Sequence, residues 1–230
     1  MVWPRSIWKE ARSEKFFQVE ADTILGRKRF YKGARTNAVQ SKKRRTRMAP
    51  MKSEPKSEQN LDGYGAPLIP WSKIRDRLDQ GFTQEPEKGG PNRHTCWLTT
   101  VRPDGRPHVM PLGAEWVDGA FYFTSGANTR KAKNLALNPE CVITVATHDF
   151  DIVVEGRASR VTDPALVARI AKIYQDGGWP AQVSDDGTSL TAEYSAPSAG
   201  PPPYMIYQVI PRTVFALGAA EPYGATSFRF

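Results

Sequence analysis

VRPDGRPHVMPLGAEWVDGAFYFTS, residues 101–125, holds two tight turns between stretches of strand-forming residues. The first turn, RPDG at residues 102–105, combines Pro, Asp and Gly, which are residue types that favour tight turns. The second is the pair Asp118-Gly119, a dipeptide typical of two-residue hairpin loops. Together with HTCWLTTV at residues 94–101, the pattern predicts consecutive hairpins and therefore antiparallel pairing.

The rest of the chain adds strands and short helices. CVITVATH, DIVVEGRASRVT and YMIYQVIPRTVFALG each predict a strand. Trp71, Ile74 and Leu78 have the spacing of a short amphipathic helix, and two more helices are expected, one ending before Pro139 and one beginning at Asp163. Many hairpin-linked strands and few helices predict a mainly β (α+β) fold, in which an antiparallel sheet closes as a barrel.

Positive charge is concentrated near the N-terminus. Residues 1–47 hold 14 Lys and Arg against 4 Asp and Glu, a net charge of +10, whereas residues 48–230 have a net charge of −2. Without a sustained apolar period, residues 1–47 are expected to form little stable structure. They are either a nucleic-acid-binding arm or, the reading we favour, an accessory extension with Met48 or Met51 opening the folded domain. Nucleic acid is expected as a partner only through this segment.

Two polar segments are expected to lie outside the barrel. The linker APMKSEPKSEQN divides the chain into a basic, largely disordered extension and linker, 1–61, and a folded domain, 62–230. The Pro-rich stretch 183–203 predicts a mobile loop that could act as a lid. No apolar run approaches the roughly 20 residues that span a bilayer, and no signal-peptide pattern opens the chain, which predicts a cytoplasmic protein without a membrane partner.

The cysteines and histidines give no sign of a metal site. Cys96 and Cys141 lie in apolar, strand-like runs, where buried free thiols are expected. The chain has three histidines, His94, His108 and His148, which lack the close spacing of zinc ligands. Haem ligation by one of them remains a minor alternative. Four carboxylates, Glu115, Asp118, Asp149 and Asp151, could form a pair, but turn chemistry accounts for three of them, and a solvated side chain is the simpler expectation for Glu115.

TSGANTRKAKNLALNP, residues 124–139, predicts a site for an anion. A strand ending at Thr124, Ser125 and Gly126 leads into a helix, whose first turn offers free backbone N–H groups and the positive end of the helix dipole. Hydroxyl groups and positive charges beside that turn would complete a phosphate cradle. Ala132, Leu135 and Ala136 are expected to form the buried stripe, which leaves the remaining faces to Arg130, Lys131, Lys133 and Asn134. The alternative is an ordinary solvated basic face.

Proline marks the strand that follows the first turn. Pro107 and Pro111 occupy alternate positions there, and proline cannot donate to a sheet, so an edge strand or a ligand-facing strand is expected. Gly113, without a side chain, would let a flat ligand approach the backbone. The alternative is an irregular edge protected against further strand pairing.

The order and spacing of four blocks resemble the FMN-binding split-barrel superfamily related to pyridoxamine 5'-phosphate oxidase. The blocks are TTVRPDGRPHVMPLG, AFYFTS, TRKAKNLALNPECVITV and VVEGRASRVTD. These blocks cover residues 93–163, and PRTVFALG with ATSFRF extends the resemblance to the C-terminus. The resemblance implies a split β-barrel and a homodimer that holds a cofactor in each of two clefts between the subunits. That cofactor is FMN or, in the branch that this sequence resembles more closely, the deazaflavin F420.

The resemblance also implies particular cofactor-binding residues. Lys131 matches the family's phosphate-binding lysine, and Val109, Met110, Pro111 and Leu112 match the strand whose backbone borders the ring system. Five further residues lie in the phosphate neighbourhood: Thr124, Ser125, Thr129, Lys133 and Asn134.

The C-terminus departs from the vitamin B6 oxidases of the family. It ends in SFRF and lacks their Arg-rich segment, so oxidation of vitamin B6 is not expected. Arg229 and Phe230 either line the cleft or, the reading we favour, end a strand that completes the barrel.

The resemblance implies an oxidoreductase that transfers a hydride between the bound cofactor and an unsaturated or oxidised small molecule. The cofactor would carry the chemistry, and no catalytic side chain is assigned. The alternative is a non-catalytic protein of the same fold that binds a flavin, haem or tetrapyrrole. The substrate, and the choice between FMN and F420, stay open.

Overall fold

The computed structural model describes residues 54–82, 95–196 and 199–230. Three helices lie in these ranges: α1, Trp71–Asp79; α2, Arg130–Leu137; and α3, Pro164–Asp176. The strands are β1, Ser57–Asn60; β2, Cys96–Val101; β3, Pro107–Leu112; β4, Ala114–Val117; β5, Ala120–Gly126; β6, Glu140–Ala146; β7, Phe150–Arg160; β8, Gln182–Val183; β9, Leu190–Thr191; β10, Tyr204–Gly218; and β11, Ala225–Arg229.

Both predicted hairpins form, but one predicted strand is divided. β2 pairs with β3 across the RPDG turn, and β4 pairs with β5 across Asp118-Gly119. Asp118 and Gly119 have φ values of 51° and 83°, the left-handed pair that a two-residue hairpin loop requires. The stretch RPHVMPLGAEWV, expected to be one strand, breaks at Gly113 into β3 and β4, which pair with different partners.

The long strand β10 splits the sheet. Along one edge it pairs with β7 over Tyr207–Gly218. Along its other edge it pairs with β5 over Tyr204–Val209 and then with β11 over Thr213–Leu217. The longest path through the sheet is β1-β11-β10-β7-β6-β2-β3, and all described pairings are antiparallel. The predicted fold, a mainly β antiparallel split barrel with a few short helices, is confirmed.

A bulge in β10 accompanies the change of partner. The register between β10 and β7 shifts between Pro211 and Thr213, where proline has no N–H to donate. Gly156 of β7 faces Pro211, and any side chain there would run into the carbonyl oxygen of Ile210. The two strands therefore approach closely at the point where β10 leaves β5 for β11.

The buried side chains form two clusters on the barrel. The larger one includes Phe121, Phe123 and Phe228, with Trp71, Ile74 and Leu78 of α1, as their helical spacing predicts. The smaller one packs α3 against β5 through Val167, Ile170, Tyr174 and Tyr122. Asp163 caps α3 by accepting from the N–H of Leu166 at 2.9 Å, which confirms its predicted start. These contacts hold both helices on the barrel.

Two segments expected outside the barrel carry regular structure. Residues 57–60, assigned above to the linker, form β1 and pair with β11. Within 183–203, β9 pairs with β8 and with β10, and Leu190 is fully buried among the α3 cluster. The apolar side chains of that stretch therefore pack onto the sheet, where a loop was expected. Residues 1–53, and with them the proposed basic arm, lie outside the described residues.

The cysteines are buried and unpaired, as expected. Burial raises the pKa of both the Cys96 and the Cys141 thiol to about 12. None of the three helices in the described ranges combines the length and the apolar character needed to cross a membrane.

Candidate functional site

Hydroxyl groups fix the turn that joins β5 to α2. Thr129 is the N-cap of α2, where its side-chain oxygen accepts from the N–H of Ala132 at 3.2 Å and donates to the carbonyl of Gly126 at 3.0 Å. The buried Ser125 hydroxyl lies 2.7 Å from the Thr129 hydroxyl. These two hydroxyls, predicted to face a phosphate, bond to each other and to the backbone, and so they define the shape of the turn.

A second segment passes close to this turn. A Cβ placed on Gly126 would lie 2.7 Å from the carbonyl oxygen of Ala199 and 2.8 Å from that of Pro201. A Cβ on Gly200 would lie 3.4 Å from the Thr129 side chain. Residues 199–201 therefore form one wall of the turn, and the contact requires glycine at position 126.

The buried face of α2 differs from the predicted one. Ala132 and Leu135 are buried as expected, but Ala136 is exposed, and Lys131 and Asn134 are only 3% and 1% exposed. The helix contacts β2 and β5, so its inward face runs through positions 131, 132, 134 and 135. Burial lowers the pKa of the Lys131 ammonium.

A polar chain connects α2 to the outermost strand. The Asn134 side-chain amide donates to the Thr100 hydroxyl at 3.0 Å, and that hydroxyl lies 3.4 Å from Nδ1 of His108. Thr100 is fully buried in β2, whereas His108 is half-buried in β3. The predicted site residue Asn134 thus reaches β3 through Thr100.

The positive charge of α2 is joined by an arginine from the β2–β3 turn. The pKa of His108 is lowered first by burial and then by the charges of Arg102, Lys131 and Arg130, so all three cations act on its ring. We call Arg102, Arg130 and Lys131 the cationic cluster. None of the ion pairs found in the described part of the chain involves Arg102, Arg130 or Lys133. As far as the described ranges go, an anion at Arg102 or Arg130 would displace no ion-pair partner.

Sequence reasoning missed Thr100, Arg102 and His108 as members of this site. Their signal was the RPDG turn itself, because a tight hairpin brings the residues on its two sides together, and Thr100 pairs directly with His108. The sequence did not show that α2 would pack over the end of β2 that leads into this turn.

The strand β3 lies at the edge of the sheet, as its prolines predict. Within the described ranges it pairs with β2 alone. Val109 is 50% exposed, Met110 and Pro111 are half-buried, and Leu112 is buried. Its other backbone edge has no strand partner among the residues that the structure describes, and the role of these four residues at a ring system stays a prediction.

The remaining predicted residues take more peripheral positions. Lys133 is exposed on α2, and Thr124 is half-buried in β5 opposite Ile206. β11 lies between β1 and β10 in the sheet and pairs with both, and Phe230 packs against Trp71 with ring centres 5.0 Å apart. The C-terminal strand therefore completes the sheet, which was the favoured reading.

Glu115 departs from expectation. It was expected to be solvated, but it is half-buried in β4 opposite Tyr122 of β5. Burial raises the pKa of its carboxyl to about 7.

No metal site is visible among the described residues, since no three His, Cys, Asp or Glu side chains come together there. His148 is exposed and lies 4.0 Å from Asp149, while His94 lies outside the described residues.

A known protein family matches more than half of this chain. Residues 82–216 match a family profile described as pyridoxamine 5'-phosphate oxidase. No curated protein matches the chain.

Several solved structures are similar. An FMN-binding protein related to pyridoxamine 5'-phosphate oxidase, from Nostoc punctiforme, is 19% identical; the match covers 69% of this chain and 90% of that one, with a TM-score of 0.45. General stress protein 26 from Bacillus anthracis is 18% identical over 62% of this chain and 92% of its own, with a TM-score of 0.41. An F420 reductase is 24% identical over 52% of this chain and 87% of its own, with a TM-score of 0.36.

Proposed function

Because the chain belongs to the pyridoxamine 5'-phosphate oxidase family, we propose that it is an oxidoreductase that uses FMN or the deazaflavin F420. In this proposal the bound cofactor exchanges a hydride with an unsaturated or oxidised small molecule. The family match confirms the resemblance inferred from residues 93–163.

The observation that carries the proposal is the cationic cluster beside the free edge of β3. Lys131 is only 3% exposed, so a phosphate that reached its ammonium would interact with it in a largely water-excluded setting, where charge-assisted contacts are strong. Arg102 and Arg130 lie on two different elements and both act on His108. A phosphate is the anion that suits several converging cationic donors at the start of a helix. These residues therefore fit the phosphate of a flavin or deazaflavin.

The proposal assigns different roles to three groups of residues. Lys131 and the two arginines bind the phosphate, while Ser125 and Thr129 hold the β5–α2 turn that positions Lys131. The edge of β3, from Val109 to Leu112, borders the ring. A bound flavin or deazaflavin supplies the hydride chemistry itself, so the protein has to orient the ring and exclude water.

We further propose that the protein acts as a homodimer, as the resemblance implies. The outward side of the sheet carries a row of residues that are directly opposite in register: Pro111, Trp97, Thr144, Val153 and Phe215. Trp97 is 46% exposed in the single chain, and its neighbours in the row are half-buried. A second copy of the chain on this row would cover Trp97, and its approach beside β3 would enclose the ring site.

The test is to titrate the full chain separately with FMN and with F420, and to follow cofactor fluorescence. Tight binding of one cofactor supports the proposal and identifies it, whereas binding of neither contradicts it. The bound cofactor is then reduced anaerobically and mixed with a panel of unsaturated and oxidised acceptors. Reoxidation by an acceptor in the absence of oxygen supports an enzyme, and a reduced cofactor that no acceptor reoxidises supports the alternative, a non-catalytic binding protein.

A further inference from the structure

His108 occupies the junction between the cationic cluster and the edge strand. It belongs to β3, and its cross-strand neighbour is the fully buried Thr100 of β2. Arg102 follows β2, and Arg130 and Lys131 begin α2, so His108 faces positive charge from both neighbouring elements. The charged groups that act on its ring are cations without exception among the described residues.

The hydrogen bonds of His108 leave one ring nitrogen available. Thr100 accepts from Asn134 at 3.0 Å, and its hydroxyl lies 3.4 Å from Nδ1 and 3.5 Å from the carbonyl oxygen of His108. In the tautomer in which Nδ1 donates to Thr100, the Thr100 hydroxyl can donate to the His108 carbonyl, and Nε2 is the nitrogen without a proton. Nε2 has no hydrogen-bond partner among the described residues. It is the atom at which the ring can take up a proton.

The charge balance at His108 reverses when an anion enters. Without a ligand, partial burial and three cations hold the pKa of His108 below its ordinary value of 6.5. A phosphate held by the same cations brings one or two negative charges next to the ring, which favours the imidazolium. The ring would then hold a proton more tightly in the complex than in the free protein.

We propose that His108 is a proton-linked contact for the phosphate of the cofactor, taking up a proton at Nε2 when the phosphate occupies the cationic cluster. This inference rests on the proposed function and assigns to it a residue that the sequence comparison did not. It is a binding role and requires no part in hydride transfer.

The sign of the pH effect follows from linkage. Because the complex binds more protons than the free protein, affinity rises as pH falls through the pKa of His108 in the complex. The affinity stops rising once the pH is below the pKa of His108 in the free protein, because His108 is then protonated in both the free protein and the complex. FMN also titrates, since a phosphate monoester has a pKa near about 6. The contribution of His108 is therefore the difference in the pH dependence of cofactor affinity between the wild type and a variant whose side chain at position 108 does not titrate.

The experiment measures cofactor binding by the full chain at several pH values between about 5.5 and 8.5, using calorimetry in two buffers with different ionisation enthalpies. The His108→Gln variant keeps a hydrogen-bonding side chain but cannot take up a proton in this range. The His148→Gln variant is the matched control, because the His148 side chain is 83% exposed and pairs with Asp149. Wild type and His148→Gln are expected to take up more protons than His108→Gln. Their affinity should exceed that of His108→Gln by about tenfold near the acid end, as for one charge-assisted hydrogen bond.

Proton magnetic resonance of the wild type provides a second readout that does not depend on the variant folding. The chain has three histidines, so their ring signals can be assigned from single His→Gln variants. One signal, that of His108, is expected to titrate at higher pH when the cofactor is bound.

The outcomes separate the two proposals. Tight cofactor binding with equal proton uptake in wild type and His108→Gln, or a His108 signal that titrates at the same pH with and without cofactor, would overturn this inference and leave the proposed function intact. Failure of FMN and F420 to bind at any pH would overturn both.

Discussion

Lys131 shows how one buried charge can organise a site. Its side chain is only 3% exposed on the face of α2 that also carries the buried Asn134, and burial lowers the pKa of its ammonium. In the proposed complex, the phosphate would offset part of the free-energy cost of burying the lysine.

Replacing Lys131 by methionine separates charge from volume. Lys131→Met is expected to weaken cofactor binding by about 1.5 to 3 kcal/mol, the range of a charge-assisted hydrogen bond. Because the methionine fills similar space, the free energy of unfolding should stay within about 1 kcal/mol of the wild type. Fluorescence titration and urea unfolding measure the two quantities. Lys73→Ala, on the exposed side of α1, is the control, and cofactor affinity equal to wild type in Lys131→Met would remove Lys131 from the site.

Glu115 predicts a pH-dependent stability. Its pKa in the folded protein is about 7, above the ordinary 4.5, so between these values the folded chain holds a proton that the unfolded chain has released. The stabilisation is complete below pH 4.5 and is lost as pH rises through 7. Glu115→Gln mimics the protonated side chain, and is therefore expected to match the wild type at pH 4.5 and to exceed it at pH 8 by up to about 3 kcal/mol.

Urea unfolding at the two pH values tests Glu115, with the exposed Glu155→Gln as control. A Glu115→Gln variant that unfolds like the wild type at pH 8 would show that the Glu115 carboxylate is well solvated.

At the scale of elements, the β5–α2 junction depends on one hydroxyl. Thr129 caps the helix, contacts the buried Ser125 and bonds the Gly126 carbonyl, while residues 199–201 press against the same turn. The helix has only eight residues, so little of its stability can come from helix propensity. The cap and the contact with β2 must hold it instead.

Thr129→Ala is therefore expected to lower the free energy of unfolding by about 1 to 2 kcal/mol, as for loss of an N-cap. Thr129→Ser retains the oxygen and should recover most of that loss. Chemical unfolding of the two variants measures the difference. Equal loss in both would mean that the methyl group near Gly200, rather than the hydroxyl, carries the stabilisation.

At the scale of the whole molecule, the outward row of the sheet predicts assembly. Trp97→Arg would place a charge in the centre of the proposed interface, where an unpaired buried charge is strongly unfavourable. The expected result is a chain of 25.7 kDa by light scattering, in place of a dimer, together with weaker cofactor binding. Tyr223→Arg, on the exposed β10–β11 connection, is the control and should leave the mass unchanged. A Trp97→Arg variant that remains dimeric would move the interface to another surface.

The sequence by itself determined the local elements and their class. Pro, Asp and Gly specify the two hairpin turns, the spacing of Trp71, Ile74 and Leu78 specifies α1, and Asp163 specifies the start of α3. Each of these follows from backbone and side-chain preferences within a few residues. The edge position of β3 was also readable, because proline cannot donate in the middle of a sheet.

Only the tertiary structure decided which faces meet. The sequence of α2 allowed Ala136 to be buried and Lys131 to be exposed, and packing on β2 and β5 chose the reverse. The division of residues 106–117 into β3 and β4, and the pairing of β9 with β10, depend on partners far away along the chain. The cationic cluster arises in the same way, since the sheet register and the α2 contact bring Arg102 and His108 to Lys131. Local preferences fix the period of an element, but the face that is buried is set by long-range packing, which short-range patterns do not encode.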